Sequence, residues 1–151
     1  MDAELKELYQ QVILDHNKSP RNFGKLEHAN QTAEGYNPLC GDKVNIYLEI
    51  ENNIIKDISF QSSGCAISRA SSSLMSSAIK GKTREEAEII FSKFHDLIIG
   101  KLDEDKSSEE LGKLAVFAGV KDFPSRVKCA SLPWHTMMDA LRPDDKKVAT
   151  E

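Results

Sequence analysis

Between residues 43 and 61 the chain alternates apolar and polar side chains with a period of two on both sides of an Asn-Asn pair. Val44, Ile46, Leu48 and Ile50 alternate with Lys43, Asn45, Tyr47 and Glu49, the pattern of a strand with one buried face. After Asn52-Asn53, a turn signal, alternation resumes through Ile54, Lys56, Ile58 and Phe60, with Lys56 as a polar blemish in that register. The two runs predict a β-hairpin whose apolar face has to be covered by other elements. Upstream, Ala29 to Asn37 is polar with one aromatic and reads as a short third strand leading into a turn at Cys40.

The remaining patterns are helical. Leu5, Leu8, Tyr9, Val12 and Ile13 recur at three-and-four spacing, and Ser19-Pro20 ends that helix near Lys18. A second helix is expected from Gly64-Cys65 through Ile79, stopped by Gly81. Thr83 offers an N-cap to a third, with Glu85 and Glu86 in its first turn and an apolar stripe of Ala87, Ile90, Phe91, Phe94, Leu97 and Ile98. A charged loop over Asp103 to Glu110 leads to a short segment around Leu111 to Val120. The last helix is expected from about Ala130 or Ser131 to Leu141, which would place Pro133 in its first turn. These elements predict an α/β fold of the α+β type, a small antiparallel sheet of about three strands with helices packed on one side. Residues 1–141 read as a single domain and residues 142–151 as a polar tail.

A chain of 151 residues buries a normal core without a disulfide framework, so its three cysteines are available for chemistry. Their number is odd and their spacings wide, unlike a zinc ribbon or a small secreted scaffold. The acidic start, Met1-Asp2-Ala3-Glu4, lacks the basic and apolar runs of a signal peptide, and no apolar run reaches membrane-spanning length. A cytoplasmic protein with reduced thiols and no membrane attachment is expected. The net charge of −4, with no basic block, argues against nucleic acid as a partner.

Each cysteine sits in a local sequence suited to a metal. Cys40 lies in Asn37-Pro38-Leu39-Cys40-Gly41-Asp42, where the glycine lets the backbone bend and the carboxylate shares the turn. Cys65, in Gly64-Cys65-Ala66-Ile67, and Cys129, in Arg126-Val127-Lys128-Cys129-Ala130, are expected where the chain enters helices, whose amides favour the thiolate. Three thiolates select zinc or iron over calcium or magnesium, and a carboxylate in the fourth place suggests an exchangeable position. Iron-sulfur clusters with one non-cysteine ligand share that lability. The bland alternatives are a buried hydrophobic Cys65 and an ordinary turn at Cys40, and spacing by itself does not bring the three segments together. His16, His28, His95 and His135 read as surface or packing histidines, and no local signature supports a Cys-His nucleophile.

Four ordered motifs, Asp15-His16-Asn17-Lys18-Ser19-Pro20-Arg21-Asn22, Asn37 to Asp42, Gly64 to Ser71 and Arg126 to Ala130, resemble those of the U-type iron-sulfur cluster assembly proteins. Lys128 stands where scaffold members carry a histidine before the third cysteine. Phe123-Pro124-Ser125-Arg126 does not reproduce their chaperone motif, and the segment between Cys65 and Cys129 resembles the insertion of the SufU branch. That resemblance implies a SufE/NifU-like fold and zinc held by Cys40, Asp42, Cys65 and Cys129. It further implies a zinc-dependent sulfurtransferase that accepts persulfide sulfur on Cys40 from a SufS-type cysteine desulfurase and passes it to downstream iron-sulfur assembly components. Lys128 and Arg126 are candidates for supporting transfer or docking, Tyr9 for docking, and a weak homo-oligomer is allowed. The alternative is a scaffold that builds and hands over a [2Fe-2S] cluster, or holds iron, on the same ligands; a structural zinc protein is the third.

Overall fold

Asn52 and Asn53 both adopt positive φ, 54° and 67°, the geometry of a two-residue turn whose twist matches that of the strands it joins. In the computed structural model, which describes residues 3–38, 41–102 and 109–142, this turn links β2 (Asp42–Glu51) to β3 (Ile54–Ser63). β1 (Gln31–Asn37) pairs antiparallel with the other edge of β2, giving a three-stranded antiparallel sheet in the order β1-β2-β3. The helices are α1 (Ala3–Lys18), α2 (Ala66–Ile79), α3 (Arg84–Ile98) and α4 (Pro124–Leu141), with a 3-10 segment over Gly112–Asp122.

Lys56 marks a β-bulge. Glu49 pairs with Asp57 but Ile50 pairs with Ile55, so Lys56 is the extra residue on β3. A bulge reverses the alternation beyond it, and accordingly Ile55 rather than Ile54 turns into the core while Ile58 and Phe60 stay inside. The expected register of β3 is therefore corrected at its first residues. Lys56 itself is exposed and pairs with Glu51 at 3.2 Å.

The inner face of the sheet, carrying Val44, Ile46, Leu48, Ile58 and Phe60, is covered by helices: α4 lies along β1 and β2, and α2 along β3 and against α4. The outer face keeps partly exposed polar residues, with Tyr47 Oη donating to Gln61 Oε1 at 2.7 Å. α4 approaches β1 so closely that a Cβ at Gly35 would meet Thr136 Oγ1 at 1.9 Å. Behind α4, Trp134 stacks on Phe94 of α3 at 4.6 Å, and Phe94 meets Phe117 of the 3-10 segment edge-on. α1 packs on α2, where His16 Nδ1 lies 2.7 Å from Ser73 Oγ.

The predicted N-cap at Thr83 is a full capping box, Thr83 Oγ1 accepting from Glu86 N and Glu86 Oε1 accepting from Thr83 N. One helix start differs from expectation. α4 begins at Pro124, so Pro133 sits in its interior rather than its first turn, and Cys129 lies inside the helix rather than at its N-terminus. The N-terminal signal was the first proline: at Pro124 the missing N–H costs no helical bond, which makes it a good opening residue.

Residues 103–108 of the expected charged loop, 143–151 of the expected tail, and Cys40 lie outside the described residues, as does the side chain of Tyr9. Among the described residues no helix is long and apolar enough to cross a membrane.

Candidate metal centre

The antiparallel register assembles the site. Lys43 pairs with Ser63, so the first residue of β2, Asp42, lies beside the segment Gly64-Cys65 that leaves β3 for α2. Asp42 is 1% exposed. Its Oδ1 accepts from the Cys65 backbone N–H at 2.8 Å, and its Oδ2 lies 3.4 Å from Cys65 Sγ. Gly64 permits this approach: its φ is +134°, and a Cβ there would overlap the Asp42 carboxylate.

Cys65 is the N-cap of α2, and its sulfur accepts from the Ser68 backbone N–H at 3.4 Å. The helix start expected at Gly64-Cys65 is confirmed, with the thiol oriented by the amides of the first turn. Cys129 reaches the same place from the interior of α4 and is 4% exposed. One ligand atom each from Asp42, Cys65 and Cys129 lies within 4.8 Å of the others. Among the described residues, neither Cys65 nor Cys129 is part of a disulfide.

The helix-terminus argument does not extend to Cys129. Burial pushes its thiol well above the ordinary cysteine value, and hydrogen bonds and negative charge from Cys65 and Asp42 push in the same direction. A cation beside Cys129 would reverse that preference, because its charge favours the thiolate over the thiol. The donor set fits zinc. Ligand bonds of about 2.3 Å to sulfur and 2.0 Å to oxygen in tetrahedral geometry place donors about 3.5–3.8 Å apart, inside the spacing found here.

Of the residues proposed from sequence, the structure brings Asp42, Cys65 and Cys129 together, while Cys40 lies outside the described residues. Lys128 is partly buried and its carbonyl accepts from Ser131 Oγ at 3.2 Å. Arg126 is exposed and lines an apolar groove of about 590 Å³ with Ile13, Leu14, Ile67, Val120 and Phe123, directly beside the start of α2. Sequence reasoning missed the steric part played by Gly64. The signal was a glycine immediately before a cysteine at the end of a strand.

A family model described as the NifU-like N-terminal domain matches residues 8–130, from the second turn of α1 to the residue after Cys129. The chain belongs to the NifU-like N-terminal domain family. Within it, the chain is 41% identical over 136 residues to a protein of Bacillus subtilis named zinc-dependent sulfurtransferase SufU, covering 90% of each chain. It is 36% identical over 140 residues, 93% of this chain and 86% of the relative, to an iron-sulfur cluster assembly scaffold protein IscU of Streptococcus pyogenes. Among solved structures, a candidate scaffold protein for the SUF system from Fervidobacterium islandicum, also named SufU, superposes with a TM-score of 0.81 at 39% identity, covering 90% of this chain and 98% of that one. In this family member, as in its solved relative, the three strands and their covering helices form one architecture.

Proposed function

We propose that this protein is a zinc-dependent sulfur acceptor and sulfurtransferase of iron-sulfur cluster assembly, taking persulfide sulfur from a SufS-type cysteine desulfurase. The observation that carries the reading is the convergence of Asp42, Cys65 and Cys129 within 4.8 Å at the end of the sheet from which the Cys40 segment departs. Cys40 is two residues from Asp42 in the sequence, a separation short enough for both side chains to address one ion. The name of the Bacillus subtilis relative supports the same reading.

Zinc held by Cys40, Asp42, Cys65 and Cys129 would keep the acceptor thiol deprotonated and shielded from oxidation. The protein's own residues supply the rest. Cys65 N–H fixes one oxygen of Asp42 and so turns the carboxylate toward the sulfurs. Gly41 has φ +77°, a backbone conformation that a residue with a Cβ resists. In the transfer, the Cys40 thiolate attacks the terminal sulfur of the desulfurase persulfide, the sulfur-sulfur bond breaks, and the desulfurase thiolate leaves. Cys40 then carries the persulfide, with no net oxidation. Arg126 and the apolar groove beside the start of α2 offer the desulfurase a docking surface, and Lys128 supports negative charge during transfer. In this reading residues 1–141 act as one domain in the cytoplasm.

The test is mass spectrometry of the chain after incubation with a SufS-type desulfurase and cysteine. One added sulfur on Cys40, and loss of desulfurase stimulation in Cys40→Ala, are expected; undiminished stimulation by Cys40→Ala overturns the assignment.

A second reading, a scaffold for a [2Fe-2S] cluster on the same ligands, draws support from the IscU-named relatives and from a donor set that also suits iron. Metal analysis of protein purified without chelator separates the two. Stoichiometric zinc without visible absorption favours the transferase, and iron with acid-labile sulfide favours the scaffold.

A further inference from the structure

The two described sulfurs come from different helices, Cys65 from the head of α2 and Cys129 from within α4, so their separation depends on how those helices are locked together. In the second turn of α2, Ser71 makes such a lock. Its hydroxyl donates to the carbonyl of Ala130, the residue after Cys129, at 2.6 Å, and accepts from Trp134 Nε1 at 3.1 Å. Ser71, Ala130 and Trp134 are all fully buried.

The lock falls where α4 is weakest. Pro133 has no N–H to give to the carbonyl four residues back, that of Cys129, and a proline ring crowds that carbonyl. A helix interrupted there fixes the position of Cys129 less firmly by its own ladder, so a bond from outside matters more. Of the other buried hydroxyls of α2, Ser72 bonds the carbonyl of Ser68, Ser76 that of Ser73, and Ser73 bonds His16 and the Arg21 backbone, while Ser68 Oγ has no hydrogen-bond partner among the described residues. Among the described hydrogen bonds, Ser71 is the α2 side chain that holds α4.

We infer that Ser71 is a positioning residue for the metal centre, setting through the Ala130 carbonyl where α4 presents Cys129 to the thiol of Cys65. This rests on the metal-binding reading above. It differs from a merely structural role, that of satisfying the buried indole N–H, in what it predicts for Trp134.

The experiment uses the full chain and two probes, zinc affinity by competition with a chromophoric chelator and the thiolate-to-metal absorption of the cobalt-substituted protein. Ser71→Ala is expected to weaken zinc by about 10- to 100-fold, the loss typical when a group that orients a metal ligand is removed, and to alter the cobalt spectrum. Ser72→Ala, equally buried but bonded within its own helix, and Trp134→Phe, which leaves the Ser71–Ala130 bond in place, are expected to keep parental affinity and spectrum. Should Ser71→Ala fail to fold, Ser71→Thr against the isosteric Ser71→Val carries the same comparison, with the hydroxyl variant alone binding as the parent does. Parental affinity and spectrum in a folded Ser71→Ala or Ser71→Val overturn this inference while leaving the metal reading intact. A parental chain that binds neither ion overturns both.

Discussion

Gly64 and Asp42 share one space: a Cβ at position 64 would begin 2.0 Å from Asp42 Oδ1 and 2.9 Å from Asp42 Cα. The second distance involves backbone, so no side-chain rotation relieves it. With φ at +134°, position 64 also has a backbone conformation that residues with a Cβ resist. Gly64→Ala is therefore expected to lower stability by about 1–3 kcal/mol and to displace the Asp42 carboxylate from the metal. Urea unfolding and zinc titration check the two effects; a variant matching the parent in both would show that the close approach has no consequence.

Asp42→Asn keeps an oxygen for the Cys65 N–H but replaces the charged oxygen facing Cys65 Sγ with a neutral amide. Folding is expected to survive and zinc affinity to fall by at least about tenfold, since a carboxylate also contributes charge to the donor set. Chelator competition at fixed pH measures it.

Chelation is expected to lower the melting temperature. A ligand that binds only the folded state at 100 times its dissociation constant stabilises by about 2.7 kcal/mol, which corresponds to roughly 5–11 °C for a chain of this size. Calorimetry with and without chelator, followed by zinc add-back, tests this. No shift would place the metal outside the folded core, against the burial of Asp42 and Cys129.

Acid is expected to destabilise the metal-free protein before the carboxylates titrate. Burial holds the pKa of His16 below the ordinary histidine value, with Arg21 adding to the effect, and burial followed by His95 does the same for His135. Both rings therefore bind fewer protons folded than unfolded. These rings do not affect stability above about pH 7, where both states are neutral, and they reduce it as pH falls through about 6.5 toward the lower folded values. The lowered carboxyls of Asp15 and Glu86 act only at more acidic pH. The urea midpoint should fall between pH 7 and 5, and His16→Gln should flatten that slope; a midpoint independent of pH over this interval contradicts the assignment.

The hairpin was legible because its alternation is a local property of neighbouring residues, and the N-cap at Thr83 because its signals lie within four positions. Lys56 was visible as a break in the pattern, but its meaning was not: a bulge is a relation between two strands, and only pairing shows which strand carries the extra residue. The expected start of α4 at Ala130 or Ser131 keeps Pro133 within the first turn, whereas the helix opens at Pro124 and carries Pro133 in its interior. An interior proline is tolerated where surrounding packing offsets the lost bond, which local propensity does not reveal.

The donors themselves were written in the chain: two thiols and a carboxylate in motifs whose residue types favour a soft metal, beside a third thiol in the same turn as the carboxylate. Their convergence was not. Asp42 and Cys65 meet because antiparallel pairing returns β3 to the start of β2, and Cys129 joins them because α4 packs across the sheet and against α2. Residue type sets what a side chain can bind, but the distance between segments remote in sequence is set by the packing of the whole chain.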